Sequence, residues 1–298
     1  MSTPHDRNEP TDPHARRMNR VLDYIDQHLA DDLKLETLAE IAAYSPYHFH
    51  RLFLAWTSET PNDLVRRRRL EAAGSRLRHS SSAAVADVAA AVGFASVEAF
   101  ARAFKQQFGM TPTGWRKGGY MEWEMRQRES VPEFEAAPVV RLERLPELEV
   151  LYWRHTGPYG ASVVETWERF VPWIKAMGLG EQPLIGMGLD DPSIAPASRC
   201  RYDACVVLPP NWNSPATRVS RRKIRGGWFA CVDFQGSRTD FGPEWMRILR
   251  RWLPGSGFTL ADCPFIEYYP AGVSPTPPAP APGEQPVIRV ELRVPVEA

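Results

Sequence analysis

One stretch of this chain repeats at an offset of 51 residues. Ser45 matches Ser96, Phe49 matches Phe100, Arg51 matches Arg102, Phe53 matches Phe104, and Thr60-Pro61 matches Thr111-Pro112. The preceding segment repeats at an offset of 50, Leu38-Ala39 with Val88-Ala89, so the second copy has one extra residue in its turn. Each copy reads as a short helix, a tight turn and a second helix that opens on a serine, an N-cap residue type. Apolar residues recur in the second helix at three- and four-residue spacing, as Phe49, Leu52, Phe53 and Trp56, and as Phe100, Ala103, Phe104 and Phe108. Two linked copies of helix, turn and capped helix describe a double helix-turn-helix, which confines about a hundred residues to an all-α fold.

The surrounding sequence extends the helical reading. Met18, Val21, Leu22, Ile25 and Leu29 form a stripe ahead of the first copy. Thr60-Pro61 opens a connecting helix over 61–77, and Thr111-Pro112 opens a short helix with Trp115. Net charge is zero over the 298 residues, but 15–120 carry +4 while 1–14 and 121–298 carry −2 each. A basic helical segment beside a mildly acidic one suits a DNA-binding domain joined to something else. No run of about 18 apolar residues occurs, so a membrane-spanning helix is not expected. The polar N-terminus has no secretory pattern. The four cysteines, Cys200, Cys205, Cys231 and Cys263, form no C-x-x-C pair and suit a reduced cytosolic protein.

The pattern changes after about residue 130. Runs rich in β-branched and aromatic residues predict strands at 138–144, 148–155, 184–189, 202–208, 227–235, 265–270 and 287–294. Helices are expected at 161–177 and 240–253, so an α+β domain of two strand-helix-strand-strand repeats follows the all-α domain. Four domain segments result. They are a disordered tail over 1–14, the double helix-turn-helix over 15–118, a linker over 119–136, and a second domain over 137–298. Segment 274–286, SPTPPAPAPGEQP, reads as a proline-rich loop between strands.

A helix that reads a major groove needs polar or cationic groups opposite its core stripe, where an arginine can donate two hydrogen bonds to guanine. That face carries Tyr47, His48, His50 and Arg51 in the first copy and Val97, Glu98, Arg102 and Lys105 in the second. Arg66-Arg67-Arg68-Arg69 spans most of a helical turn, so the four cannot face one partner; at least two are expected in a solvated or salt-bridged surface. His48 and His50 diverge on a helix, so no metal site is expected, and no cofactor. The stretches LETLAEIAAYSPYHFHRLF (35–53) and VADVAAAVGFASVEAFARAFKQQFGMTPTGWR (85–116) resemble the DNA-binding domain of AraC-family transcription regulators. The resemblance implies recognition helices at about 46–56 and 97–107, with Arg51 and Arg102 at base-contacting positions. Two departures fall on the first copy. Ala43 stands where the family usually has glycine, and Lys34 where a capping Ser or Thr is commoner.

In the second domain, strand alternation places Phe265, Glu267 and Tyr269 on one face and Ile266 and Tyr268 on the other. A carboxylate between two rings is a poor core but a good cation site. Tyr152 and Trp153 point to opposite faces of their strand, so only one can share a cleft with Glu267. LEVLYWRHTGPYG (148–160), RYDACVVLP (201–209) and CPFIEYYP (263–270) resemble GyrI-like effector-binding domains. The resemblance implies two pseudo-symmetric units around a cleft for small molecules, with Glu267 at the acidic ligand position. The expected ligand set is therefore Glu267, Tyr269 and Phe265, with Tyr152 or Trp153.

The whole chain then reads as a cytosolic, sequence-specific transcription regulator. It binds asymmetric double-stranded DNA through two unequal helices, without need of a two-fold dimer, and senses a small cationic or amphipathic effector. It is not expected to be an enzyme, and no catalytic residue is assigned. Two alternatives stay open. The second domain could be a hydrolase with Glu267 as general base, or it could bind a protein such as a topoisomerase or RNA polymerase.

Overall fold

The computed structural model of the chain describes residues 13–79, 83–127, 136–192, 194–210, 212, 219–261, 263–276 and 287–297. The chain divides into two compact units, Met1–Val131 and Pro132–Ala298. Most of the expected tail (1–12), part of the linker (128–135) and most of the proline-rich loop (277–286) lie outside the described residues.

The first unit is helical. Its elements are α1 (Pro13–Gln27), α2 (Leu35–Ile41), α3 (Pro46–Thr57), α4 (Pro61–His79), α5 (Val85–Ala91), α6 (Val97–Phe108), the single turn α7 (Pro112–Gly114) and α8 (Tyr120–Gln127). Met18, Val21, Leu22 and Ile25 of α1 pack with Leu38, Ala39, Phe49, Phe53, Leu64 and Val65 into one buried cluster. In the second copy Val88, Ala89, Phe100, Phe104 and Phe108 are buried. Phe100, Phe104 and Phe108 pack edge-to-face and tilted along α6 with ring centres 5.5 and 4.5 Å apart, and Trp115 closes on Phe108 at 4.7 Å. The Trp115 indole N–H donates to the Gly74 carbonyl of α4 at 2.9 Å, which satisfies its buried donor. α8 lies within the segment expected to be a linker. Trp123 there packs edge-on to Phe108 at 5.4 Å, so helical packing continues beyond the double repeat. Leu52, expected in the core stripe of α3, is 36% exposed. The stripe of this twelve-residue helix is narrow and is filled by Phe49 and Phe53.

The second unit is one antiparallel sheet with helices on it. Its strands are β1 (Arg141–Leu145), β2 (Leu148–Thr156), β3 (Leu184–Gly188), β4 (Arg201–Val207), β5 (Ser220–Ile224), β6 (Gly227–Gly236), β7 (Thr259–Leu260), β8 (Phe265–Tyr269) and β9 (Ile288–Glu297). They pair in the order β1-β6-β9-β8-β3-β4-β2-β5, with β7 added to β9. α9 (Ala161–Ala176) follows β2, and α10 (Phe241–Arg247) follows β6. Both helices bury their apolar stripes, including Trp167, Phe170 and Ile174 of α9 and Phe241 of α10, in the cluster on one sheet face. The other face has its own cluster, with Val150, Tyr152, Ile185, Met187, Cys205, Phe229 and Ile266. The turn from β1 to β2 touches the turn from β5 to β6: a Cβ on Gly226 would lie 2.6 Å from Glu147 N and 2.7 Å from Leu145 O. That contact draws the two edges of the sheet together and curls it around the second cluster. β5 and β7 were not expected. β5, SRRKI, has no apolar alternation and pairs along one side with β2, and β7 has only two residues.

Candidate DNA interface and effector site

Each candidate recognition helix is set by a cap and an aromatic anchor. Ser45 accepts a hydrogen bond from the His48 backbone N–H at 3.4 Å, and Pro46 supplies the first helical position. Ser96 accepts from the Ala99 N–H at 3.1 Å. With the phenylalanines turned inward, Tyr47, His48 and Arg51 are exposed on α3, and Val97, Glu98, Arg102 and Lys105 on α6; His50 is half-buried. The two helices differ in how their arginine is held. Arg51 Nη1 donates to the Tyr47 hydroxyl at 2.8 Å, with its guanidinium 5.6 Å from that ring's centre. Arg102 lines an open groove between α4 and α6 with Arg66, Phe94, Ala99, Ala103 and Gln106. Gln106 was missed by the sequence reading. It lies four residues beyond Arg102 and so on the same helix face, and Arg66 Nη2 donates to its Oε1 at 2.7 Å.

The arginine run divides its work. Arg67 pairs with Glu59 and Glu71 at 2.8 and 2.9 Å, and Arg68 with Asp26 and Glu71 at 3.1 Å each. Arg69 donates to backbone carbonyls of Leu29 and Asp31 at 2.8 and 2.7 Å. Three of the four are therefore engaged in holding the fold, and Arg66 bonds a side chain of α6. The two departures in the first copy are also visible. Lys34 provides no side-chain cap, and Ala43 adopts φ +56°, a left-handed conformation that costs an alanine roughly 1 kcal/mol.

In the second unit, Glu267 sits at the middle of β8, opposite Gly186 of β3, on the face covered by the helices. The Tyr202 hydroxyl donates to Glu267 Oε2 at 2.7 Å, and the Tyr269 hydroxyl donates to the same oxygen at 2.9 Å. The Trp167 indole N–H donates to the Tyr202 oxygen at 3.1 Å, extending the chain into α9. Burial pushes the Glu267 carboxyl above its ordinary range, against the two tyrosyl hydrogen bonds and the charge of Arg238. Burial and the Glu267 charge raise both tyrosines well above their ordinary value, so they remain donors. Both tyrosines bond Oε2, which leaves Oε1 without a hydrogen-bond partner among the described residues, while the side chain keeps partial exposure. Gly186 makes room for the cluster. A Cβ there would lie 1.9 Å from the Tyr202 hydroxyl and 2.6 Å from Glu267 Oε2.

The expected ligand residues are only partly brought together. Phe265 and Tyr269 share the face of Glu267, as strand alternation predicted. Tyr269 is fully buried, and Phe265 packs on Trp245 of α10 with ring centres 5.3 Å apart. Trp153 lies on the same face against Phe170. Tyr152 does not. It belongs to the opposite cluster, beneath the guanidinium groups of Arg154 and Arg222, and cannot reach Glu267 through the sheet. Tyr202, Trp167 and Gly186 were missed. Tyr202 stands in a quoted motif, but nothing in RYDACVV marks which face meets β8. Glu143, Cys231 and Glu291 also converge, with ligand atoms within 4.8 Å. Arg141 holds both carboxylates and Arg293 holds Glu291, while burial pushes the Cys231 thiol up to about 12. The two carboxylates of that group are thus part of an ion-pair network.

Two domain models match this chain, a helix-turn-helix domain over residues 38–118 and a GyrI-like small molecule binding domain over residues 138–284. The protein is a DNA-binding transcription regulator with a small-molecule-binding domain. It belongs to the AraC family. The putative transcriptional regulator YosT of Bacillus subtilis is 34% identical over 134 residues, covering 44% of this chain and 87% of the relative. SoxS of Escherichia coli is 31% identical over 103 residues, covering 35% and 95%. PocR of Salmonella typhimurium is 37% identical over 105 residues, and there the chain spans about a third of the relative's length, 34%, and 35% of its own. Among the described residues no helix is long and apolar enough to cross a membrane.

Proposed function

We propose that this regulator responds to a small lipophilic cation or amphipathic amine held at Glu267, and that α3 and α6 read two segments of an asymmetric DNA site. The observation that carries the effector reading is the uneven use of the carboxylate. Oε2 takes two tyrosyl hydrogen bonds, and none of the described residues bonds Oε1, which is left for a ligand. A charge contact there would form in a partly desolvated setting, where Coulomb attraction exceeds its value in water. Trp167 packs edge-on to the rings of Tyr202 and Tyr269, with centres 6.4 and 6.0 Å apart, so the carboxylate's partners belong to one aromatic cluster. The element order β2-α9-β3-β4 and β6-α10-β8-β9, with the two-residue β7 between α10 and β8, supports reading the second unit as two strand-helix-strand-strand repeats, with Gly186 and Glu267 at their junction.

Base reading is assigned to Arg51 and Arg102, with Tyr47, His48, His50, Val97, Glu98 and Lys105 around them. The effector assignment is tested by calorimetric titration with tetraphenylphosphonium and neutral triphenylphosphine oxide. Glu267→Gln keeps the shape and removes the charge. It should weaken the cation by roughly 1–4 kcal/mol, the range of a unit-charge contact at about 4 Å between bulk water and a protein surface, and leave the neutral compound nearly unchanged. Equal affinity of both proteins for the cation would remove Glu267 from the site. Turnover of a bound ester that Glu267→Gln abolishes would favour a hydrolase instead.

A further inference from the structure

The two helix-turn-helix copies differ in what lies behind their turns. In the first, Ala43 is exposed and tolerates a Cβ at φ +56°. In the second, the equivalent residue is Gly93, at φ +80°. A Cβ on Gly93 would lie 2.6 Å from the Leu29 carbonyl oxygen, 2.8 Å from Arg69 Nη2 and 2.9 Å from Arg69 Cζ. The guanidinium of Arg69 is therefore packed against the turn of the second copy. From α4 it also donates to the carbonyls of Leu29 and Asp31, which follow α1 and precede the first copy. One planar cation on the joining helix thus touches the turn of the second copy and the segment that leads into the first. Its forked donors fix direction as well as distance, which a lysine would not do.

We propose that Arg69 is a positioning residue that locks the second turn to the segment leading into the first copy, and so sets the spacing and angle between the two recognition helices on DNA. Other contacts support the same junction. Arg68 bonds Asp26 of α1, and Arg76 Nη1 donates to the Ala91 carbonyl at the end of α5. Arg69 need not touch DNA. Its consequence appears in how strictly the protein reads the distance between two sites. A rigidly joined pair gains its full effective concentration only at one spacing, whereas a loosened pair loses that gain and tolerates other spacings. Inserting one base pair moves one segment by about 3.4 Å and turns it by about a tenth of a helical turn.

The test uses the full chain and duplexes selected by the wild type from a random-sequence pool. The winning duplex is compared with versions carrying one base pair inserted or deleted between the two selected segments. For wild type we expect the altered duplexes to bind at least ~30-fold more weakly, and for Arg69→Met this ratio to shrink to ~5-fold or less while affinity for the unaltered duplex falls ~10-fold. Arg69→Lys keeps the charge and is the second variant if the methionine protein melts early; the ratio should shrink there too. A variant that loses affinity but keeps the wild-type spacing ratio would overturn the proposal, because general damage to the fold weakens all three duplexes alike. Wild-type selection of sites with a single segment would overturn it as well.

Discussion

Gly186 offers the sharpest test of how the Glu267 site is built. A methyl group at this position would stand 1.9 Å from the Tyr202 hydroxyl, 2.6 Å from Glu267 Oε2 and 2.8 Å from Tyr202 Cζ. Neither neighbour is a loose surface chain, because Tyr202 is buried beneath α9 and held by Trp167. Gly186→Ala must therefore part the Tyr202–Glu267 hydrogen bond or shift β3 from its partners. Overpacking of a tight core costs about 1–3 kcal/mol, and a hydrogen bond to a charged group contributes about 1.5–3 kcal/mol. The better strand propensity of alanine returns roughly 0.5–1 kcal/mol. These terms sum to a net loss of about 1.5–5.5 kcal/mol, centred on about 2–4 kcal/mol. At an m-value of about 2 kcal/mol/M this is a fall of roughly 1–2 M in the urea midpoint of the second unit. The cycle with Tyr202→Phe isolates the cause. Without the hydroxyl the closest overlap is gone, so alanine should cost about 1–2 kcal/mol less in that background. The ring carbon at 2.8 Å keeps the relief incomplete. Equal costs in both backgrounds, or a Gly186→Ala midpoint within error of wild type, would refute the claim that this glycine exists to admit the tyrosyl–carboxylate pair.

Other expectations are simpler to measure. Arg102→Ala should weaken selected DNA by ~1–3 kcal/mol in gel-shift titrations and random DNA much less, whereas Arg51→Ala should do less, since Arg51 is already engaged by Tyr47; equal losses on both DNAs would make Arg102 a phosphate contact. Ala43→Gly should stabilise the helical unit by about 0.5–1 kcal/mol in thermal melts, since it relieves a left-handed alanine. Gly93→Ala, which adds overlap to strain, should destabilise the same unit; a neutral result would contradict the packing of Arg69. The pH dependence of Glu267 has a definite sign. Its folded-state pKa is raised by burial, so below the unfolded value of about 4.3 it has no effect, and as pH rises above that value the unfolded state ionises first and folding weakens. Glu267→Gln lacks this loss, so its urea midpoint relative to wild type should climb between pH 4 and pH 7. A difference that stays constant would mean the carboxyl is solvated.

Much of the DNA-binding half was legible in the order of its residues. Serine caps, phenylalanines at helical spacing and a duplicated pattern are local signals, and local hydrogen bonds and side-chain directions enforce them within a dozen residues. The strain at Ala43 was readable for the same reason, because a turn demands its backbone angles wherever it sits. The face shared by Phe265, Glu267 and Tyr269 followed from strand alternation alone. What only the tertiary structure decided are relations between distant segments. β5 is a strand because β2 offers it an edge, and its own sequence shows no alternation to announce it. Tyr202 meets Glu267, 65 positions away in the chain, because β3 places a glycine between their strands. Tyr152 turned away from the site because the curl of the sheet gives each face its own core. Of four adjacent arginines, three hold carboxylates or carbonyls brought in from elsewhere in the fold. Arg69 joins a carbonyl 40 positions before it to a turn that follows it. Periodicity says which way a side chain points; what it meets there depends on how the elements pack.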